Sequence, residues 1–301
     1  MGSTTWRLDG RVRVSGGEVA TGVFGDGPPV VLVHGTPAWS YLWRDVVPVL
    51  AERFTVHVWD LLGFGDSRPD PGIAPSIARQ ARTLAELVEH WRLESPGLVG
   101  HDIGGGTVMR AHLVEQVPAS HLALLDAAVI GPWNTPFTEH MQRYAEAYRT
   151  MPPHVFADII APRMRTAAHR MSDASAAAYL EPWTGSDGQQ RWVDQVAAIS
   201  FEDTREAVAR LDEVTAPTLV LWGEHDEWLA PSVGDRLAAA IPGARRATVP
   251  GAGHFVAEDN PRDTAAELIR FFESRSQLVN GDGRKNRHRH SRLHETPGQA
   301  T

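Results

Sequence analysis

Three short stretches carry side chains whose types and order could do chemistry together. Gly100-His101-Asp102-Ile103-Gly104 lies where an apolar run gives way to a glycine-rich one, GEHDEWL spans residues 223–229, and GAGHF spans residues 251–255. The small residues around Asp102 permit a sharp strand-to-helix turn that lifts the central side chain out of a sheet. A carboxylate is ionised at neutral pH and attacks without a base. On an ester or amide carbonyl it would give a reactive anhydride, whereas displacement at saturated carbon gives an alkyl ester that water then cleaves. An imidazole at His254 suits the activation of that water, and a carboxylate at Asp226 suits holding the imidazole tautomer and stabilising the imidazolium. Glu224 lies two residues before Asp226, and Asp126 ends the preceding apolar run, so each is an alternative carboxylate for that role.

These residues need elements that end side by side. The runs PVVLVHG, TVHVWD, GLVGHD, HLALLDAAV, PTLVLWGEHD and ARRATVPGAGH read as buried strands of a parallel sheet. Between them SYLWRDVVPVLAE, SIARQARTLAELVEHW and GGGTVMRAHLVEQV have the spacing of crossover helices, and a further helix begins at Asn260-Pro261. Residues 132–210 are helical in pattern, punctuated by Pro and Trp, and lack strand signals. The expected class is therefore α/β, with a mostly parallel central sheet flanked by helices and a helical cap inserted into it. Core residues 1–131 and 211–275 enclose the cap at 132–210, and residues 276–301 form a basic, His-rich tail too poor in apolar material to fold.

Composition narrows the partners. The 301 residues are 42% hydrophobic and 22% charged, contain no cysteine, and carry a formal net charge of -8 although five basic side chains face two acidic ones after residue 280. Disulfides, thiolate metal sites and a cysteine nucleophile are excluded, and nucleic acid is not an expected partner. The first residues hold no apolar stretch of a signal peptide, and no run of 18 apolar residues offers a membrane span, so the expectation is a soluble, cytoplasmic protein. Gly104 to Gly106 fit neither dinucleotide-binding nor Walker spacing, so no cofactor is expected, and no metal site is proposed.

The order of nucleophile, acid and histidine resembles the α/β-hydrolase superfamily, and an aspartate in the first position resembles its haloalkane dehalogenases and epoxide hydrolases. The likeness runs from about Val19 to Glu273. HGTP at His34 to Pro37 is similar to the family's oxyanion loop, DLLGFGDS at Asp60 to Ser67 to its glycine-rich turn, and HFVAEDNP to the approach to its last helix. SYLWR and YLEPW resemble haloalkane dehalogenases in particular. The resemblance implies an α/β-hydrolase fold, a catalytic set of Asp102, Asp226 and His254, and an oxyanion hole of the Thr36 and Ile103 N–H groups. His34 and Pro37 would shape the loop, and His101 would pack behind the turn.

The chain departs from those families beside the nucleophile. Haloalkane dehalogenases place a Trp directly after it and often an Asn in the oxyanion loop, where this chain has Ile103 and Thr36. Donors to a departing halide would then come from the cap, with Trp133, Trp183 and Trp192 as candidates. Epoxide opening would instead use a cap tyrosine to protonate the oxygen, with Tyr144, Tyr148 and Tyr179 as candidates. The expected partners are a small apolar substrate and water. Epoxide hydrolysis is the alternative to dehalogenation, and a relative that binds a ligand without turnover is a third reading. The sequence does not determine the oligomeric state.

Overall fold

The computed structural model describes residues 6–274; the tail expectation lies outside them. Nine strands form one sheet: β1 (Gly10–Val14), β2 (Gly17–Phe24), β3 (Pro29–Val33), β4 (Thr55–Trp59), β5 (Arg68–Pro69), β6 (Gly97–His101), β7 (His121–Leu125), β8 (Thr218–Gly223) and β9 (Arg245–Val249). Their order is β1-β2-β4-β3-β6-β7-β8-β9, with β5 pairing the outer part of β2. Pairing is parallel from β4 to β9 and antiparallel at the β1–β2 and β2–β4 edge. Strands covered on both faces read as continuous apolar runs, and every residue of β6 and β8 is buried.

The helices of the first half are α1 (Val47–Leu50), α2 (Ile77–His90) and α3 (Ile103–Leu113). Helix α2 starts because Ser76 Oγ accepts from the Arg79 N–H, and it buries Ile77, Ala81, Leu84 and Leu87 along one face. The segment expected as one long crossover helix after β3 is instead a 3-10 turn, Ser40–Trp43, followed by the four residues of α1. Pro48 lacks the N–H that a continuous helix requires. The β1–β2 hairpin was not expected; its signal was the alternation RVRV, whose two valines are buried.

Between β7 and β8 the chain forms α4 (Pro136–Arg143), α5 (Ala145–Arg149), α6 (Pro153–Arg165), α7 (Asp173–Leu180), α8 (Gly185–Ala198) and α9 (Glu202–Val208), without a strand. Helices α10 (Pro231–Ala240), α11 (Val256–Asp259) and α12 (Pro261–Glu273) complete the chain, with Asn260 capping α12 through the Asp263 N–H. Strand β3 has β4 on one side and β6 on the other, so the chain reverses direction across the sheet between β3 and β6. Loops diverge at such a reversal and leave a crevice at the carboxyl ends of the strands. The segment after β3 and the residue after β6 both open there.

Candidate active site

Asp102 follows β6 directly and precedes the first residue of α3 with φ 52° and ψ −124°, a conformation that costs a non-glycine residue energy. Close packing secures it: a Cβ on Gly104 would run into the carbonyls of Val33 and His34. The Asp102 N–H donates to the Leu125 carbonyl (3.1 Å), tying the turn to β7. Its Oδ1 accepts from the Thr36 N–H at 2.8 Å. Ile103 opens α3, where an N–H has no acceptor within the helix. Asp102 Oδ2 lies 3.4 Å from His254 Nε2, which has no aligned hydrogen bond among the described residues.

His254 follows β9 and is buried, with Nδ1 2.9 Å from Asp226 Oδ2. Asp226 follows β8, and its Oδ1 accepts from the N–H groups of Trp228 and Leu229, both at 2.8 Å. Burial works to lower the affinity of His254 for a proton, but the charges of Asp226 and Asp102 overcome it and lift its pKa to about 10. Burial works in the opposite direction on Asp226, and the His254 charge together with these hydrogen bonds holds it below the ordinary carboxylate range. Asp126 sits behind the pair: its Oδ1 accepts from the Gly223 N–H (2.8 Å), and its Oδ2 is buried without a partner among the described residues. Burial, and then the Asp226 charge, push its pKa far up. Asp226, and not Asp126, makes the hydrogen bond to the histidine.

Asp126, Asp226 and His254 offer ligand atoms within 4.8 Å of one another, the one such group found among the described residues. Both Asp226 oxygens and His254 Nδ1 already serve internal hydrogen bonds. The neighbouring histidines are structural. His34 bridges the Gly35 carbonyl (3.0 Å) and the Leu61 N–H (2.9 Å), and burial lowers its pKa to about 3. Burial likewise takes His101, whose Nε2 meets the His254 carbonyl, to about 4.

A largely apolar cavity opens over Asp102 and His254, roofed by Trp133, Trp192, Gln195, Val196 and Ile199 from the cap. Trp192, Gln195 and Val196 share one face of α8 at spacings of three and four, and Ile199 follows directly after its end. Three buried N–H donors here have no partner among the described residues: Trp133 Nε1, Trp192 Nε1 and Gln195 Nε2. The Thr36 hydroxyl donates to Gln195 Oε1 at 2.8 Å, which fixes the amide with its NH₂ free. Gln195 carried no role in the sequence reading. Its signal was a lone polar residue in an apolar helical stripe.

The other cap candidates do not line this cavity. Trp183 donates its Nε1 to the Pro37 carbonyl (2.8 Å), bracing the segment after β3 from outside. Tyr179 is buried and donates to Glu258 Oε2 (2.9 Å), which also receives Arg44 (2.7 Å). Tyr148 is hydrogen-bonded to His140, and Tyr144 is 49% exposed. SYLWR and YLEPW thus latch the cap to the core: Arg44 lies over the Tyr41 ring, and Tyr41 packs edge-on against Tyr179.

A family model described as alpha/beta hydrolase fold matches residues 28–261. The chain is 32% identical over 259 residues to haloalkane dehalogenase 2 of Mycobacterium tuberculosis, a match covering 82% of this chain and 89% of the relative. It is 26% identical over 278 residues to a soluble epoxide hydrolase of a Corynebacterium species, covering 82% and 91%. A crystal structure of an alpha/beta hydrolase fold protein from Burkholderia ambifaria aligns with TM-score 0.84 and 33% identity over 89% of this chain and 99% of that one. The chain belongs to the α/β-hydrolase fold family. It is a hydrolase with haloalkane dehalogenase and epoxide hydrolase relatives. Among the described residues no helix is long and apolar enough to cross a membrane.

Proposed function

We propose that the chain hydrolyses carbon–halogen bonds through an alkyl ester on Asp102. Oδ1 is held by the Thr36 N–H, which leaves Oδ2 as the attacking oxygen. Oδ2 displaces the halide from saturated carbon, and the C–X pair departs as the anion. His254, oriented by Asp226, then takes a proton from water as the water oxygen attacks the ester carbonyl. The negative charge formed on Oδ1 is met by the N–H groups of Thr36 and Ile103. Collapse expels the alkoxide, which receives the proton from His254, and the net products are alcohol, halide and one proton.

The observation that carries this reading is the set of three unpartnered N–H donors around the cavity above Asp102. A halide is a weak base that needs donors and no proton, whereas an opening epoxide needs an acid. None of the three cap tyrosines lines the cavity. Incubation with a panel of chloro-, bromo- and fluoroalkanes and of alkyl epoxides, scored for halide ion and for diol, tests the proposal. Halide release is expected. Diol from epoxides with no halide from any panel member refutes it, and failure of both classes would favour ligand binding without turnover.

A further inference from the structure

One side chain on the cavity wall has no part in that chemistry. Arg163, in the last turn of α6, lines the same cavity as Asp102 and His254. Its guanidinium has no ion pair and no side-chain hydrogen bond among the described residues. Its neighbour is the face of Trp228, 4.1 Å from the ring centroid. Trp228 in turn stacks on the His254 imidazole, with centroids 5.2 Å apart and planes at 24°. The half-buried guanidiniums of Arg149 and Arg191 are instead paired, the first with Asp194 and the second with Asp187 and the Pro182 carbonyl. Burial pushes the Arg163 pKa below its ordinary value, as expected for a cation taken from water without an anion. A cation–π contact compensates only part of that cost, and five donors in a planar fork remain for a carboxylate.

We propose that the preferred substrates bear a carboxylate at the end remote from the halogen, and that Arg163 receives it. This rests on the dehalogenase reading above and names the substrate class of that site. The apolar walls, Val196 and Ile199 among them, suit the alkyl chain between the two ends. Two carboxylates, Asp102 and Asp226, flank the single imidazole of His254, so an anionic substrate meets net negative charge unless a further cation offsets it. Arg163 supplies that offset on the cap side.

The test compares 4-bromobutyrate with its neutral isostere 4-bromobutyramide in the wild type, R163K and R163M. A charge-assisted contact should favour the carboxylate by roughly ten- to a hundredfold in kcat/KM, expressed mainly in KM. R163K, which keeps the charge but loses the fork, should retain only part of that preference. R163M, which keeps the apolar stem over Trp228, should abolish it while leaving bromobutyramide turnover within severalfold. Equal use of both substrates by the wild type, or an unchanged ratio in R163M, overturns the proposal, as does an equal fall for both substrates. Should neither bromide react, and the haloalkane panel release no halide either, the dehalogenase reading fails by itself. Valerate against valeramide, titrated by tryptophan fluorescence, then decides the anion site: tighter valerate binding lost in R163M supports it, and no preference overturns it.

Discussion

His254 sits between two carboxylates, and one of them is consumed in the first chemical step of the proposed reaction. In the free enzyme the pair lifts its pKa to about 10, so the imidazole is a cation at neutral pH and cannot act as a base. Esterification of Asp102 removes the negative charge 3.4 Å from Nε2. At an effective dielectric of about 20, two unit charges at that separation interact by roughly 5 kcal/mol, or about three to four pKa units. The alkyl-enzyme should therefore hold His254 with a pKa of roughly 6 to 7, neutral and ready to accept a proton. The sign follows: ester hydrolysis should rise with pH through about 6 to 7 and then level off, while alkylation stays flat until about pH 10. Rapid-quench measurement of burst and steady-state phases separates the two rates. A hydrolysis midpoint near 10 would refute the reasoning, since the charge of Asp102 would then not control the base. Alkylation that changes with a midpoint near neutrality would refute it equally.

Asp226→Asn should lower turnover by roughly 10⁴-fold, because the amide favours the imidazole tautomer that cannot take a proton from water. Asp126→Asn should cost less than about tenfold, since Asp226 and not Asp126 makes the hydrogen bond that orients the histidine; steady-state kinetics with circular dichroism as a folding control checks both, and reversed magnitudes would move the acid to Asp126. Gln195→Leu removes one donor from the cavity and should slow alkylation by about 10²- to 10³-fold, by analogy with an oxyanion-hole donor, while leaving ester hydrolysis unchanged. Single-turnover halide release reads that split, and an unchanged alkylation rate would take Gln195 out of the leaving-group site.

The parallel sheet and the order of Asp102, Asp226 and His254 were legible because each follows an apolar strand at a glycine-marked turn. Such signals are local in the chain. The departures were local too: Pro48 breaks the helix that spacing alone suggests, and Asp126 ends β7 at Leu125 with φ 43°, short of the apolar run through Val129. The cap was less legible because a residue's role there depends on which helix face meets the core. Trp183 and Trp192 both lie in aromatic helical sequence, yet one braces the Pro37 carbonyl and the other roofs the cavity. Gln195 and Arg163 needed the structure for the same reason. A buried amide and an unpaired guanidinium acquire meaning only when the residues they lack as partners are known.

The claim that Asp102 is the nucleophile is tested most directly by stopping the reaction at its intermediate. His254→Gln keeps the carboxylate that attacks and removes the base that releases the product. Incubated with a haloalkane that the wild type consumes, this variant should release about one halide per protein molecule and then stop. Peptide mass spectrometry should find the alkyl group, less the halogen, on Asp102. A modified peptide at any other residue, or no adduct from such a substrate, would contradict the account.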